Sequence, residues 1–95
     1  MTVEKILFRL LIQGEPIMDM KNINTFIYTA ELGSFTKAAE LLGYSQSTVS
    51  FQIRQLEEEL GTVLFERINR TVTLTDRGKE ILRYAHRMKQ LAGEM

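Results

Sequence analysis

A small, mostly α domain is the fold the sequence predicts: a three-helix core, a two-stranded hairpin and a C-terminal helix. Three observations carry that reading. Apolar residues recur at spacings of three and four across residues 22–60 and again across 81–95. Between those stretches the period changes, and two short apolar runs, Val63–Phe65 and Val72–Leu74, flank the polar residues 66–71. Pro is 1 and Gly is 6 in 95 residues, so few segments are interrupted and helices run long.

Residues 1–17 carry Val3, Ile6, Leu7, Leu10 and Leu11 at helical spacing, before Gly14 and Pro16. Two readings stand: an N-terminal helix, or upstream sequence preceding a start at Met18. Glu4 and the missing small-residue cleavage site argue against a signal peptide. Ile23, Phe26, Ile27 and Ala30 then predict a helix over Asn22–Leu32, stopped by Gly33. Ser34 caps a second helix, Phe35–Leu42, with Phe35, Ala38, Ala39 and Leu42 inward. The Ala38-Ala39 pair lets another helix approach closely.

Gly43-Tyr44 forms a short turn, and Ser45 caps a third helix ending at Leu60 before Gly61. Two helices joined by so tight a turn fit a helix-turn-helix, and equally any tight helical corner. The hairpin comes next. Thr75 then caps a last helix from Asp76 to the chain end, with Asp76 at its positive pole. Its stripe of Ile81, Ala85, Met88, Ala92 and Met95 resembles a coiled-coil seam. The predicted organisation is an extension (1–17), a core domain (18–75) and a helix for pairing (76–95).

Composition excludes several classes. With Cys 0 there are no disulfides or thiolate metal sites, and the single histidine, His86, has no cysteine to assist it. No apolar run reaches the roughly 20 residues of a membrane span. No nucleophile–base pair, metal-ligand spacing or Gly-rich phosphate loop points to an enzyme or a cofactor. The formal net charge of +0 gives no basic footprint. Residues 1–50 hold four Lys/Arg and five Asp/Glu, and residues 51–95 hold eight and seven. Any nucleic-acid surface must therefore be a local patch.

The third helix, QSTVSFQIRQLEEEL, is divided. At about 100° per residue, Val49, Ile53, Leu56 and Leu60 share a narrow arc that must face the core. Ser47, Phe51, Arg54 and Glu58 lie opposite, with Thr48, Ser50 and Gln55 on the shoulders. Phe51 thus points outward, either as a plain surface residue, as a contact for residues 1–17, or as a group for a DNA major groove. In the groove, Ser, Thr and Gln hydrogen-bond base edges, Arg54 reaches phosphate or guanine, and Phe51 packs on a thymine methyl. The glutamates at 57–59 are expected to be solvated or paired with nearby Arg, and a helix leading with its N-terminal end keeps them from phosphates.

Three stretches carry a resemblance: GSFTKAAELLGYSQSTVSFQIRQLEEELG (33–61), LFERINR (64–70) and LTDRG (74–78). Over residues 18–82, roughly two-thirds of the chain, the sequence resembles the DNA-binding region of the LysR-type transcriptional regulators, bacterial winged helix-turn-helix proteins. The resemblance implies a helix-turn-helix at about 35–54, a wing at about 63–74 and a linker helix after it. It implies that Gln46, Ser47, Thr48, Ser50 and Arg54 face the major groove, on a helix capped by Ser45. Ser34, Thr36 and Lys37 would hold the phosphate backbone, helped by the positive helix end. Asn69 and Arg70 in the wing loop 68–71 would enter the flanking minor groove. Arg67 would contact phosphate or pair with an acidic neighbour.

The family pattern often has proline at position 47 and a basic residue at position 51. Phe51 in place of a cation implies weaker nonspecific binding and a preference for thymine at the step it faces. The resemblance further implies duplex DNA with an interrupted palindromic operator as partner, no membrane, and a cytoplasmic, nucleoid-associated setting. It implies homodimers through residues 76–95, with Ile81, Leu82, Ala85, Met88 and Ala92 pairing rather than joining their own small core. A small-molecule inducer would act only in a full-length protein, since the family's ligand-binding domain is not present here. The chain then reads as a DNA-binding fragment or a truncated gene product. A competing function is an interaction module that pairs with full-length relatives and antagonises them.

Overall fold

The computed structural model describes residues 19–68 and 71–91. Helices α1 (Met20–Leu32), α2 (Phe35–Leu42) and α3 (Gln46–Leu60) come first, then strands β1 (Phe65–Ile68) and β2 (Thr71–Leu74), and finally helix α4 (Asp76–Leu91). The expected mostly α winged helix-turn-helix is what forms.

α1 starts two residues before the apolar pattern does. The Asp19 carboxylate accepts from the Lys21 N–H at 2.9 Å and caps the helix. Its first turn faces solvent, with Met20 and Lys21 exposed, so no apolar period marks it. The face that follows is buried and partly polar: Asn22, Thr25 and Thr29 are as enclosed as Ile23, Phe26 and Ile27. Between α2 and α3 the backbone turns at Gly43 with φ 75°, a left-handed conformation that a side chain would disfavour. The Ser45 hydroxyl accepts from the Thr48 N–H at 3.1 Å and starts α3.

Phe26, Val49, Leu56 and Leu64 are fully buried at the centre of the core. Phe65 meets Phe26 edge-on at 5.5 Å and Phe35 at 5.6 Å, so the first residue of the wing is anchored between α1 and α2. The wing itself is antiparallel, with Phe65 opposite Leu74, Glu66 opposite Thr73, Arg67 opposite Val72 and Ile68 opposite Thr71. The first strand lies later than the apolar run suggested. Val63 is exposed and Leu64 is buried ahead of the ladder, which runs from Phe65 through Glu66, Arg67 and Ile68. On the second strand Val72 and Leu74 alternate inward against the core, whereas β1 beyond Phe65 is exposed and held by its backbone pairing with β2.

Thr75 caps α4, its hydroxyl accepting from the Gly78 N–H at 2.9 Å and donating to the Val63 carbonyl at 2.7 Å. The α4 stripe begins inside the domain's own core. Ile81 and Ala85 sit in the domain's own core, and Leu82, Tyr84 and Met88 pack half-buried against it. Three short helices leave Phe26, Leu56 and Leu60 partly uncovered, and α4 lies over them. Ile81 and Ala85 are thus covered by this chain's own core, where the sequence reading gave them to a partner, while Leu82 and Met88 stay half-exposed. Ala92 falls outside the described residues. No helix among the described residues is long and apolar enough to cross a membrane.

Candidate nucleic-acid interface

Of the side chains singled out on α2, α3 and β1, Ser34, Thr36, Gln46 and Arg67 come together on one side. The start of α2, the start of α3 and the wing converge on a shallow groove lined by Gly33, Ser34, Phe35, Thr36, Gln46, Arg67 and Val72. Ser34 is spent on capping, accepting from the Lys37 N–H at 3.1 Å. Thr36 and Lys37 are exposed on the first turn of α2, where unpaired N–H groups and the helix dipole favour an anion.

Of the two roles expected of Arg67 from sequence, pairing with an acidic neighbour is not what forms among the described residues. Its guanidinium lies over the Phe35 ring, 4.4 Å from the centroid, facing the groove. A flat guanidinium on an aromatic face is fixed in direction while its N–H groups remain available at the edge. Phe35 therefore has two jobs, core packing on one side and support of Arg67 on the other. Asn69 and Arg70 of the wing lie outside the described residues.

At the start of α3, Ser45, Ser47 and Thr48 form a knot of hydroxyls, Ser45 lying 3.1 Å from Ser47 and 2.9 Å from Thr48. Beyond the knot run Gln46, Ser50, Phe51 and Arg54. Ser50 is half-buried, and the other three are exposed. None of the four makes a side-chain hydrogen bond or ion pair with another described residue. The free polar groups of α3 are thus fewer than the sequence suggested, and they form one row.

Sequence reading missed what holds the helix at this angle. The Thr25 hydroxyl donates to Gln52 Oε1 at 2.6 Å, and Asn22 Nδ2 donates to Gln55 Oε1 at 3.0 Å. Gln55 is consequently tied to α1, although it was placed on a shoulder of the outward face. A signal was present: Asn22 and Thr25 fall in phase with the apolar stripe of α1, and buried polar groups require partners. The glutamates also differ from expectation. Glu57 Oε2 accepts the Leu64 N–H at 2.8 Å, fastening the end of α3 to the approach of the wing. Glu59 is pressed inward, and burial first, then the Asp19 carboxylate, push its pKa up. Only Glu58 is fully solvated. His86 Nε2 lies 3.9 Å from Glu31 Oε2, both about half exposed, so it faces α1 rather than open solvent alone.

A three-helix core whose third helix offers a free row, flanked by a wing, defines a winged helix-turn-helix reader. The model of the bacterial regulatory helix-turn-helix proteins, lysR family, matches residues 20–79, and the chain belongs to that family. It is 46% identical over 77 residues to an HTH-type transcriptional regulator, YwqM, of Bacillus subtilis (strain 168), covering 81% of this chain and 26% of the relative. It is 41% identical over 78 residues to the RuBisCO operon transcriptional regulator of Allochromatium vinosum, covering 82% and 26%. The chain thus spans about a quarter of the length of these curated relatives. Among solved structures, the CbnR DNA-binding domain in complex with DNA is similar with TM-score 0.77 and 39% identity, covering 80% of this chain and 87% of that one. The BenM DNA-binding domain on its benA site 1 DNA is similar at TM-score 0.76 and 38% identity, covering 82% and 88%.

Proposed function

We propose that this chain is the sequence-reading domain of a bacterial transcription regulator and binds duplex DNA. α3 enters the major groove with its N-terminal end leading, and the wing loop 68–71 lies at the adjacent minor groove. The observation that carries this reading is the free row Gln46, Ser50, Phe51 and Arg54, held outward while the rest of α3 is fastened to α1 and the wing approach. The solved relatives caught on DNA support the same use of the fold.

Thr36, Lys37 and Arg67 hold the phosphate backbone and set the register, and the α3 row supplies the base contacts. Arg70 and Asn69 act at the minor groove. Pairing into a homodimer uses the part of α4 that the core covers incompletely, Leu82 and Met88 together with the 88%-exposed Leu91, because Ile81 and Ala85 are committed to the core. Two such domains read an interrupted palindrome.

Selection of bound duplexes from a random-sequence library, with the 95-residue chain at near-physiological salt, tests the reading. An enriched interrupted palindrome is the expected result. Enriched single half-sites would keep base reading and remove the dimer. A folded protein that enriches nothing would overturn DNA reading.

A further inference from the structure

An apolar ring is the odd member of the free row on α3. Phe51 is 58% exposed at its centre, with Ser47 one turn before it and Arg54 one turn after. Among the described residues no aromatic or cationic side chain stacks on it. The other strongly exposed apolar side chains, Leu41, Val63, Ile68 and Leu91, all lie outside α3.

The polar groups around the ring are largely engaged within the protein. The hydroxyls of Ser47 and Thr48 bond to Ser45, and the amide oxygens of Gln52 and Gln55 are held by Thr25 and Asn22. At the ring itself the reading face therefore offers carbon, set between the free Ser50 hydroxyl and Arg54 guanidinium. Along the major-groove edge of a duplex the one apolar group is the methyl on C5 of a pyrimidine.

We propose that Phe51 reads that 5-methyl group, whether thymine's or 5-methylcytosine's, so that binding responds to cytosine methylation at the step the ring faces. The proposal rests on the DNA-binding reading above. Covering one methyl removes about one carbon's worth of apolar surface from water, which corresponds to roughly a three- to fivefold change in affinity per half-site.

The test takes the duplex recovered by library selection and replaces its thymines one at a time by deoxyuridine, which keeps pairing and deletes only the methyl. One position per half-site should lose about three- to fivefold in affinity for the 95-residue chain. Placing a C·G pair at that position should bind at the weakened level, and 5-methylcytosine there should recover most of the loss. The ring is exposed, so Phe51→Ser should keep the helical circular dichroism of the unsubstituted chain and lose the methyl dependence at that position. Tight binding with no methyl-sensitive position overturns this inference and leaves DNA reading intact. Methyl dependence that persists in Phe51→Ser assigns the contact to another residue and overturns it as well. Failure to bind any duplex overturns the DNA reading and this inference together.

Discussion

The two halves of α3 use similar polar side chains for opposite purposes. In the front half, up to residue 51, Gln46 and Ser50 have no partner among the described residues, and the hydroxyl knot of Ser45, Ser47 and Thr48 closes on itself. In the rear half, Gln52 and Gln55 are tied to α1, and Glu57 to the Leu64 N–H. Leu64 in turn gives its carbonyl to the Thr75 N–H at 3.0 Å, which ties that anchor to the start of α4. A glutamine at position 46 and a glutamine at position 52 are chemically identical; only what lies opposite distinguishes a reader from a strut. A reading helix needs both, because loose side chains discriminate between bases only when the backbone carrying them is held in place.

The strongest way to break the fastened half is at its last link. Gly78 is buried, and a Cβ there would run into the Leu64 carbonyl oxygen, a backbone atom that cannot step aside, with Leu74 Cδ2 3.1 Å away. Gly78→Ala is expected to cost about 2 kcal/mol despite the better helix propensity of alanine, and thermal denaturation should show a loss on the order of 10 °C. An unchanged Tm would mean that the end of the wing and α4 are not locked together as described.

A paired experiment separates the halves directly. Thr25→Val removes the donor to Gln52 and should cost about 1–2 kcal/mol in urea unfolding, because a half-buried amide loses its partner. Gln46→Ala should leave stability within about 0.5 kcal/mol, yet weaken binding to the selected duplex by about tenfold or more. If Gln46→Ala unfolds the protein and Thr25→Val does not, the division between strut and reader is wrong.

Arg67 sharpens the comparison at the edge of the reading face. Arg67→Lys keeps the charge and loses the flat seat on Phe35, so affinity should fall about two- to fivefold. The slope of log affinity against log salt should stay the same, because that slope counts neutralised phosphates. A slope reduced by about one would instead mean that lysine no longer reaches a phosphate at all.

The smallest expected effect lies at Glu59. Its pKa is raised, so the protonated form suits the fold better, and this residue's contribution is present at low pH and lost as pH rises through the folded-state pKa. Glu59→Gln should therefore be slightly more stable than the unsubstituted chain at neutral pH, within about 0.5 kcal/mol. The gap should close as the solution is acidified through the carboxylate range. A gap that widens on acidification would reverse the sign and refute the crowding by burial and Asp19.

Much of this was legible in sequence because it is local. Ser34, Ser45 and Thr75 cap helices by bonding to N–H groups three residues on, which depends on spacing alone. The core face of α3, Val49 to Leu60, follows from the helical repeat. The strand limits were less legible, since pairing of Glu66 to Ile68 rests on backbone bonds that no side-chain pattern advertises. For the last helix, a stripe such as Ile81-Ala85-Met88 shows that a face will be covered without naming the cover, and for Ile81 and Ala85 the cover is this chain's own core. Arg67 was left between phosphate and acid because the ring that holds it is 32 positions away by number, Phe35 to Arg67.

The sequence by itself determined the helices, their caps, the turn at Gly43 and the family, all consequences of short-range spacing. Tertiary structure alone decided which glutamines are struts, where Arg67 rests, and which residues of α4 remain for a partner. Those outcomes depend on which groups from distant segments are brought within hydrogen-bond or van der Waals distance. A polar side chain takes its role from that opposite group, and a one-dimensional pattern does not say what the group will be.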